Sequence, residues 1–203
     1  MSNLIKLQNG TATIVAEDAW QIVRVPVGEV EVKKQAGKVV LFKLTGAESA
    51  TPEQVAATVV PAGKVLLPLS VFLARRAEFA SRLAAGEVGV WLETHELVET
   101  LVAAQAELNV FPLIAVFIER FADGRAYSMA SLLRSRYGFK GELRALGDVL
   151  RDQLFFMKRC GFDAFDIRAD RSAEDALASL QDFSEPYQGA TVIEQPLWRR
   201  HAR

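Results

Sequence analysis

Five short apolar runs, at residues 65–69, 88–92, 113–118, 142–146 and 164–167, alternate with stretches of helical periodicity. This rhythm limits the possible folds more than any other feature. Each run suits a strand and is too short for an ordinary helix. The first three carry no charge, as strands covered on both faces do. The segments between them repeat their apolar residues at helical spacing. Phe72, Phe79, Ala80 and Leu83 follow Ser70, and Leu97, Leu101, Ala104 and Leu108 follow Thr94. Met129, Leu132, Leu133 and Tyr137 follow Ser128, and a long helix runs from Asp148 to Cys160. Ser172 opens a last helix through Asp182. Ser70, Thr94, Ser128, Asp148 and Ser172 read as helix caps, with Gly86, Gly138 and Gly161 as stops. Strands separated by helices pair in parallel through right-handed crossovers. The expected fold is therefore α/β, a mainly parallel sheet of about five consecutive βα units. Either an open three-layer sheet or an incomplete βα barrel satisfies the pattern. A complete eight-stranded barrel takes about 250 residues and does not fit in 203.

The first sixty residues read as a β-rich annex. Residues 11–15 and 20–25 favour strand, with Glu17 and Asp18 as a turn between them. Val30 and Val32 alternate with Glu29, Glu31 and Lys33, and Gly37 turns the chain into residues 39–42, completing a small antiparallel unit. Thr51, Pro52 and Gln54 form a capping box for a short helix. The expected division is an annex over 1–60, a βα core over 61–188 and a peripheral tail over 189–203 ending in Arg199, Arg200, His201 and Arg203.

Composition excludes several functions. There are 24 Lys+Arg against 25 Asp+Glu, so nothing favours nucleic acid or an anionic membrane. No apolar run approaches the roughly 20 residues of a membrane span, and the start lacks the apolar core of a signal peptide. The single cysteine, Cys160, allows no internal disulfide, so the expected location is a reducing cytoplasm. One cysteine does not supply the four ligands that an iron–sulfur cluster usually takes. Two histidines far apart, His95 and His201, make no zinc signature. Neither a Gly-x-Gly-x-x-Gly fingerprint, nor a Walker loop, nor a Gly-x-Ser-x-Gly elbow occurs. Flavin and nicotinamide stay open, since motif absence does not exclude them. Cys160 has Lys158 and Arg159 as neighbours but reads as an inert core thiol.

Ligands of parallel sheets bind beyond the carboxyl ends of the strands. That rule selects Glu93 and His95 after the second strand, and Glu119, Asp123, Arg125 and Ser128 after the third. It selects Asp148 after the fourth and Arg168 with Asp170 after the fifth. Arg125 and a helix start at Ser128 are suited to an anion, with Arg168 as a further clamp. Asp148 and Asp123 are the candidate proton carriers. Arg144, mid-strand with Glu142 two residues earlier on the same face, either forms a buried bridge or lines a ligand cavity.

One resemblance goes further. The motifs Phe121-Ala-Asp-Gly-Arg125, Gly141-Glu-Leu-Arg-Ala145, Gly147-Asp148, Arg151-Asp152-Gln153 and Arg159-Cys-Gly-Phe-Asp163, with Asp182-Phe-Ser184 and Tyr187-Gln188, resemble a bacterial family of unknown function. Its members are labelled as oxidoreductases of sulfite reduction. The resemblance covers about residues 65–188. It implies a role in sulfur assimilation and cysteine biosynthesis beside a sulfite reductase. The known enzymes of that step use siroheme and an iron–sulfur cluster, for which this chain lacks the cysteines. The implied role is then an accessory one, with sulfite reductase or its electron donor as partner. Two alternatives stand beside it: an enzyme acting on a small anionic metabolite, and a non-catalytic scaffold that forms a homodimer.

Overall fold

The structure, a computed structural model, describes residues 3–26 and 42–200. Eight strands form one sheet: β1 (Leu4–Gln8), β2 (Thr11–Ile14), β3 (Gln21–Ile22), β4 (Val65–Pro68), β5 (Val88–Glu93), β6 (Leu113–Ile118), β7 (Glu142–Gly147) and β8 (Ala164–Asp166). Their order is β2-β1-β8-β7-β6-β5-β4-β3. From β3 to β8 each strand lies parallel beside its predecessor in sequence. β1 alone opposes its neighbours, pairing antiparallel with both β2 and β8.

A strand order that never reverses winds in one direction, so right-handed crossovers place every helix on the same face. The packing agrees. Val65, Leu67, Val90, Val116, Leu143 and Phe165 join the helices in one large core. The alternate residues Leu66, Trp91, Leu113, Ala115 and Leu146 form a second, smaller cluster containing no helical residue. Of the two expected architectures, the winding is that of a partial βα barrel, not a three-layer sheet. The helices are α1 (Pro52–Ala56), α2 (Leu69–Arg75), α3 (Ala80–Ala84), α4 (Val98–Ala104), α5 (Arg125–Ser131), α6 (Leu154–Cys160), α7 (Ala173–Ser179) and α8 (Leu197–Arg200).

The N-terminal strands differ from expectation. Residues 11–15 and 20–25 do not pair with each other. β2 folds back on β1, a strand not read from the sequence, and β3 lies at the opposite edge against β4. The turn between β1 and β2 is Asn9-Gly10, with φ of 51° and 81°. Asn-Gly is the pair that a tight hairpin with two positive φ angles favours, so the signal was present in the sequence. The expected strand over 29–33, and residues 39–41 of the one expected over 39–42, lie outside the described residues.

Caps divide into two groups. Thr51 caps α1 with its reciprocal Gln54 box, and Ser172 caps α7. Ser70, Thr94, Ser128 and Asp148 cap nothing. α2 starts after Pro68, α4 after Leu97, α5 after Gly124, and α6 after a 3-10 turn over Arg151–Gln153. Thr94 and Asp148, just past strand carboxyl ends, bond tertiary partners instead, Thr94 to Asp123 and Asp148 to Arg168.

Candidate functional site

The loops after β5 and β6 meet in a polar network. Asp123 is buried, at 6% exposure. Its carboxylate receives the Thr94 hydroxyl at 2.5 Å and the Arg125 guanidinium, whose Nε and Nη2 donate at 2.9 and 2.7 Å. Burial works against the charge, but the Arg125 and Thr94 hydrogen bonds outweigh it and hold the carboxyl below its ordinary range. Arg125 Nη1 continues to the Lys43 carbonyl at 2.9 Å and to the Thr45 hydroxyl. The guanidinium fork is thus engaged by groups of the same chain. Ser128 sits inside α5, one turn past Arg125, and is exposed. The anion site expected at its N–H groups therefore has no free helix start there. The helix begins three residues earlier.

Beside this network, Glu93, at the end of β5, accepts from Lys43 Nζ at 2.6 Å and lies 3.1 Å from His95 Nδ1. The other ring nitrogen, Nε2, is 3.1 Å from Ser49 Oγ. The loop holding Ser49 is pinned by Gly46 N–H, which donates to the His95 carbonyl at 2.7 Å. Burial holds the His95 pKa below its ordinary value, against the pull of the Glu93 carboxylate. Glu96 turns back to accept the Glu93 N–H at 2.7 Å, and burial pushes its carboxyl pKa up.

The loop after β7 is a second centre. Gly147 adopts a φ of +94°, and a Cβ there would lie 2.3 Å from the Ile118 carbonyl oxygen. Only glycine lets the chain pass this close while Asp148 N–H donates to that same oxygen at 2.8 Å. Asp148 is thereby aimed sideways. It accepts the Phe121 N–H at 2.9 Å and Arg168 Nη1 at 2.7 Å. Arg168 also pairs with Asp170 at 2.6 Å. Asp148 and Arg168, 20 residues apart, meet as the rule for strand ends anticipates.

Arg144 lies elsewhere, on the sheet face opposite the helices. It is 1% exposed and pairs with Glu142 at 2.7 Å and with Asp18 at 2.5 Å, while Lys6 reaches Glu142 at 2.8 Å. Of the two sequence readings of Arg144, the bridge describes its contacts. Asp166, near this cluster, has its pKa raised by burial, with Arg144 pulling it down. Burial also pushes the half-buried Cys160 thiol up, away from the reactive thiolate form.

The candidates thus form two neighbouring centres, Asp123–Arg125 and Asp148–Arg168, with Arg144 on the other face of the sheet and Ser128 bonded to neither. Sequence reading missed Ser49, Lys43, Thr45 and Glu96 as partners, and Asp18 as the counter-ion of Arg144. The first three belong to the loop over 42–50, just before the Thr51 capping box, and no motif was read within it. A cavity of about 570 Å³ opens between that loop, α2 and α4, lined by Ala50, Val55, Leu69, Leu73, Glu96 and Leu97. A smaller one, about 250 Å³, lies against Arg24, Ser70, Trp91 and Phe117. Ser49 borders both. Among the described residues, no helix is long and apolar enough to cross a membrane.

A family model described as "Bacterial protein of unknown function (DUF934)" matches residues 89–198, more than half of the chain. No curated protein and no solved structure matches the chain.

Proposed function

We propose that this chain, which belongs to the DUF934 family of bacterial proteins, serves sulfite reduction as an accessory protein that binds a sulfite-reducing enzyme or its electron donor. The pathway comes from the family resemblance set out above. The accessory mode rests on one observation, the mutual pairing of the candidate charges. Arg125, Arg144 and Arg168 each hold carboxylates of the same chain at 2.5–2.7 Å. None of them offers an unpaired guanidinium to a small anion, so the acid–arginine pairs serve as rigid surface and frame. Exposed aromatic residues favour a protein partner. Phe156 packs edge-on against Tyr127, Phe183 is tilted against Phe155, and Tyr187 is tilted against Trp198, with Phe156, Phe183, Tyr187 and Trp198 exposed. Aromatic side chains are enriched where proteins dock. With one cysteine in the chain, siroheme and cluster chemistry belong to the partner.

The test is purification of the tagged chain from its native bacterial host. Sulfite reductase in the eluate is the expected result, and its absence counts against the accessory reading. Growth of a deletion strain gives the pathway step. Rescue by sulfide and not by sulfite is expected, whereas growth on sulfate, sulfite and sulfide alike refutes a required role.

A further inference from the structure

Ser49, His95 and Glu93 stand in a hydrogen-bonded line. Glu93 faces His95 Nδ1, and Ser49 Oγ faces Nε2, each at 3.1 Å. A carboxylate beside Nδ1 requires the ring proton there, which leaves Nε2 as an acceptor directed at the serine hydroxyl. His95 is 2% exposed, so packing fixes the ring. Lys43 Nζ, 2.6 Å from Glu93, holds that carboxylate in place. Ser49 itself is only half-buried and borders both cavities described above. A buried histidine that merely needed satisfying would be served by any acceptor and donor. Here its outer partner is a hydroxyl at the wall of a cavity, and the Glu96 carboxylate approaches that hydroxyl as a second acceptor.

We propose that Ser49, His95 and Glu93 are a catalytic triad for acyl transfer from carboxylic esters or thioesters with small apolar acyl groups. Nucleophile, base and orienting carboxylate are recognised by this mutual geometry and not by position in sequence. In the first half-reaction, Ser49 Oγ bonds to the acyl carbon as its proton passes to His95 Nε2, and the carbonyl π electrons move to oxygen. The Ala50 N–H, next to the nucleophile, has no acceptor among the described residues and is available to that oxyanion. Collapse breaks the bond to the alcohol or thiol, which leaves with the proton from Nε2. In the second half-reaction, water attacks the acyl-serine and gives a proton to Nε2. Collapse then releases the carboxylic acid and returns a proton to Oγ. The acyl group would enter the 570 Å³ cavity, whose walls include Ala50, Val55, Leu69 and Leu97. This chemistry is independent of any sulfite-reducing partner, and either proposal can fail without the other.

The test treats the purified full chain with a fluorophosphonate probe and maps the adduct by peptide mass spectrometry, alongside hydrolysis of p-nitrophenyl butyrate. The expected adduct is on Ser49. Ser49→Ala should abolish labelling and lower hydrolysis on the order of 10³-fold or more, with an unchanged thermal melt. His95→Gln should slow labelling of Ser49 by a similar factor. A wild-type chain with no adduct on Ser49 overturns the proposal whatever the variants do. So does Ser49 labelling that is equally fast in a folded His95→Gln chain.

Discussion

Replacing Arg144 with Met tests whether the sheet face opposite the helices is organised by charge. Met fills most of the volume but removes the cation that faces Asp18 and Glu142. Both carboxylates are about one-fifth exposed. Breaking a buried pair by removing one partner costs about 3–5 kcal/mol. Glu142 keeps Lys6 at 2.8 Å, and water reaches both acids in part, so the lower end applies, about 3 kcal/mol. For a chain of this size, with a urea slope of about 2–3 kcal/mol/M, the unfolding midpoint should fall by about 1 M. Acidity should narrow the gap. Asp166 has a folded pKa raised above its ordinary 3.8, chiefly by burial, and Arg144 opposes that rise. An acid with a raised folded pKa favours folding at low pH, and that contribution is lost as pH rises through the folded value. Without Arg144 the folded pKa rises further. The deficit of the variant should therefore shrink as pH drops from 7 towards 5. Adding Asp18→Asn and Glu142→Gln should recover most of the loss. A deficit below about 1 kcal/mol, or one that grows on acidification, refutes the reasoning.

Three further outcomes follow from the geometry. Gly147→Ala should cost about 3 kcal/mol, because it combines a φ of +94° with a contact to the Ile118 oxygen that already holds Asp148; a loss under about 1 kcal/mol in chemical denaturation argues against that account. Asp123→Ala should destabilise by about 2 kcal/mol and expose the 43–49 loop to protease, since Arg125 loses its main anchor. The folded pKa of Asp123 is lowered, so its contribution is present above the ordinary 3.8 and is lost as pH falls through the lower value; wild type and variant should converge only below about pH 4 in urea titrations. For His95, nitrogen NMR at pH 7 should show a neutral ring protonated on Nδ1, with a midpoint below the ordinary 6.5; a charged ring or the opposite tautomer rules out the Ser49–His95–Glu93 arrangement.

The sequence alone specified the strands at 65, 88, 113, 142 and 164, because buried parallel strands need short apolar runs and their crossovers need helices between. It also located Asp123, Arg125, Asp148 and Arg168, because parallel sheets expose their loops at the carboxyl ends. Thr51 and Ser172 were legible as caps, since each bonds a backbone group three residues away. Long-range pairing was decided only in three dimensions. Thr94 turns from its helix to Asp123, Arg144 finds Asp18 across 126 positions, and Ser49 meets His95 across 46. No periodicity encodes such partners. Thr94 meets Asp123 because one-directional winding sets the loops after β5 and β6 side by side, whereas Arg144 and Asp18 meet on the sheet face opposite the helices; in each place a buried polar group must bond what lies across from it.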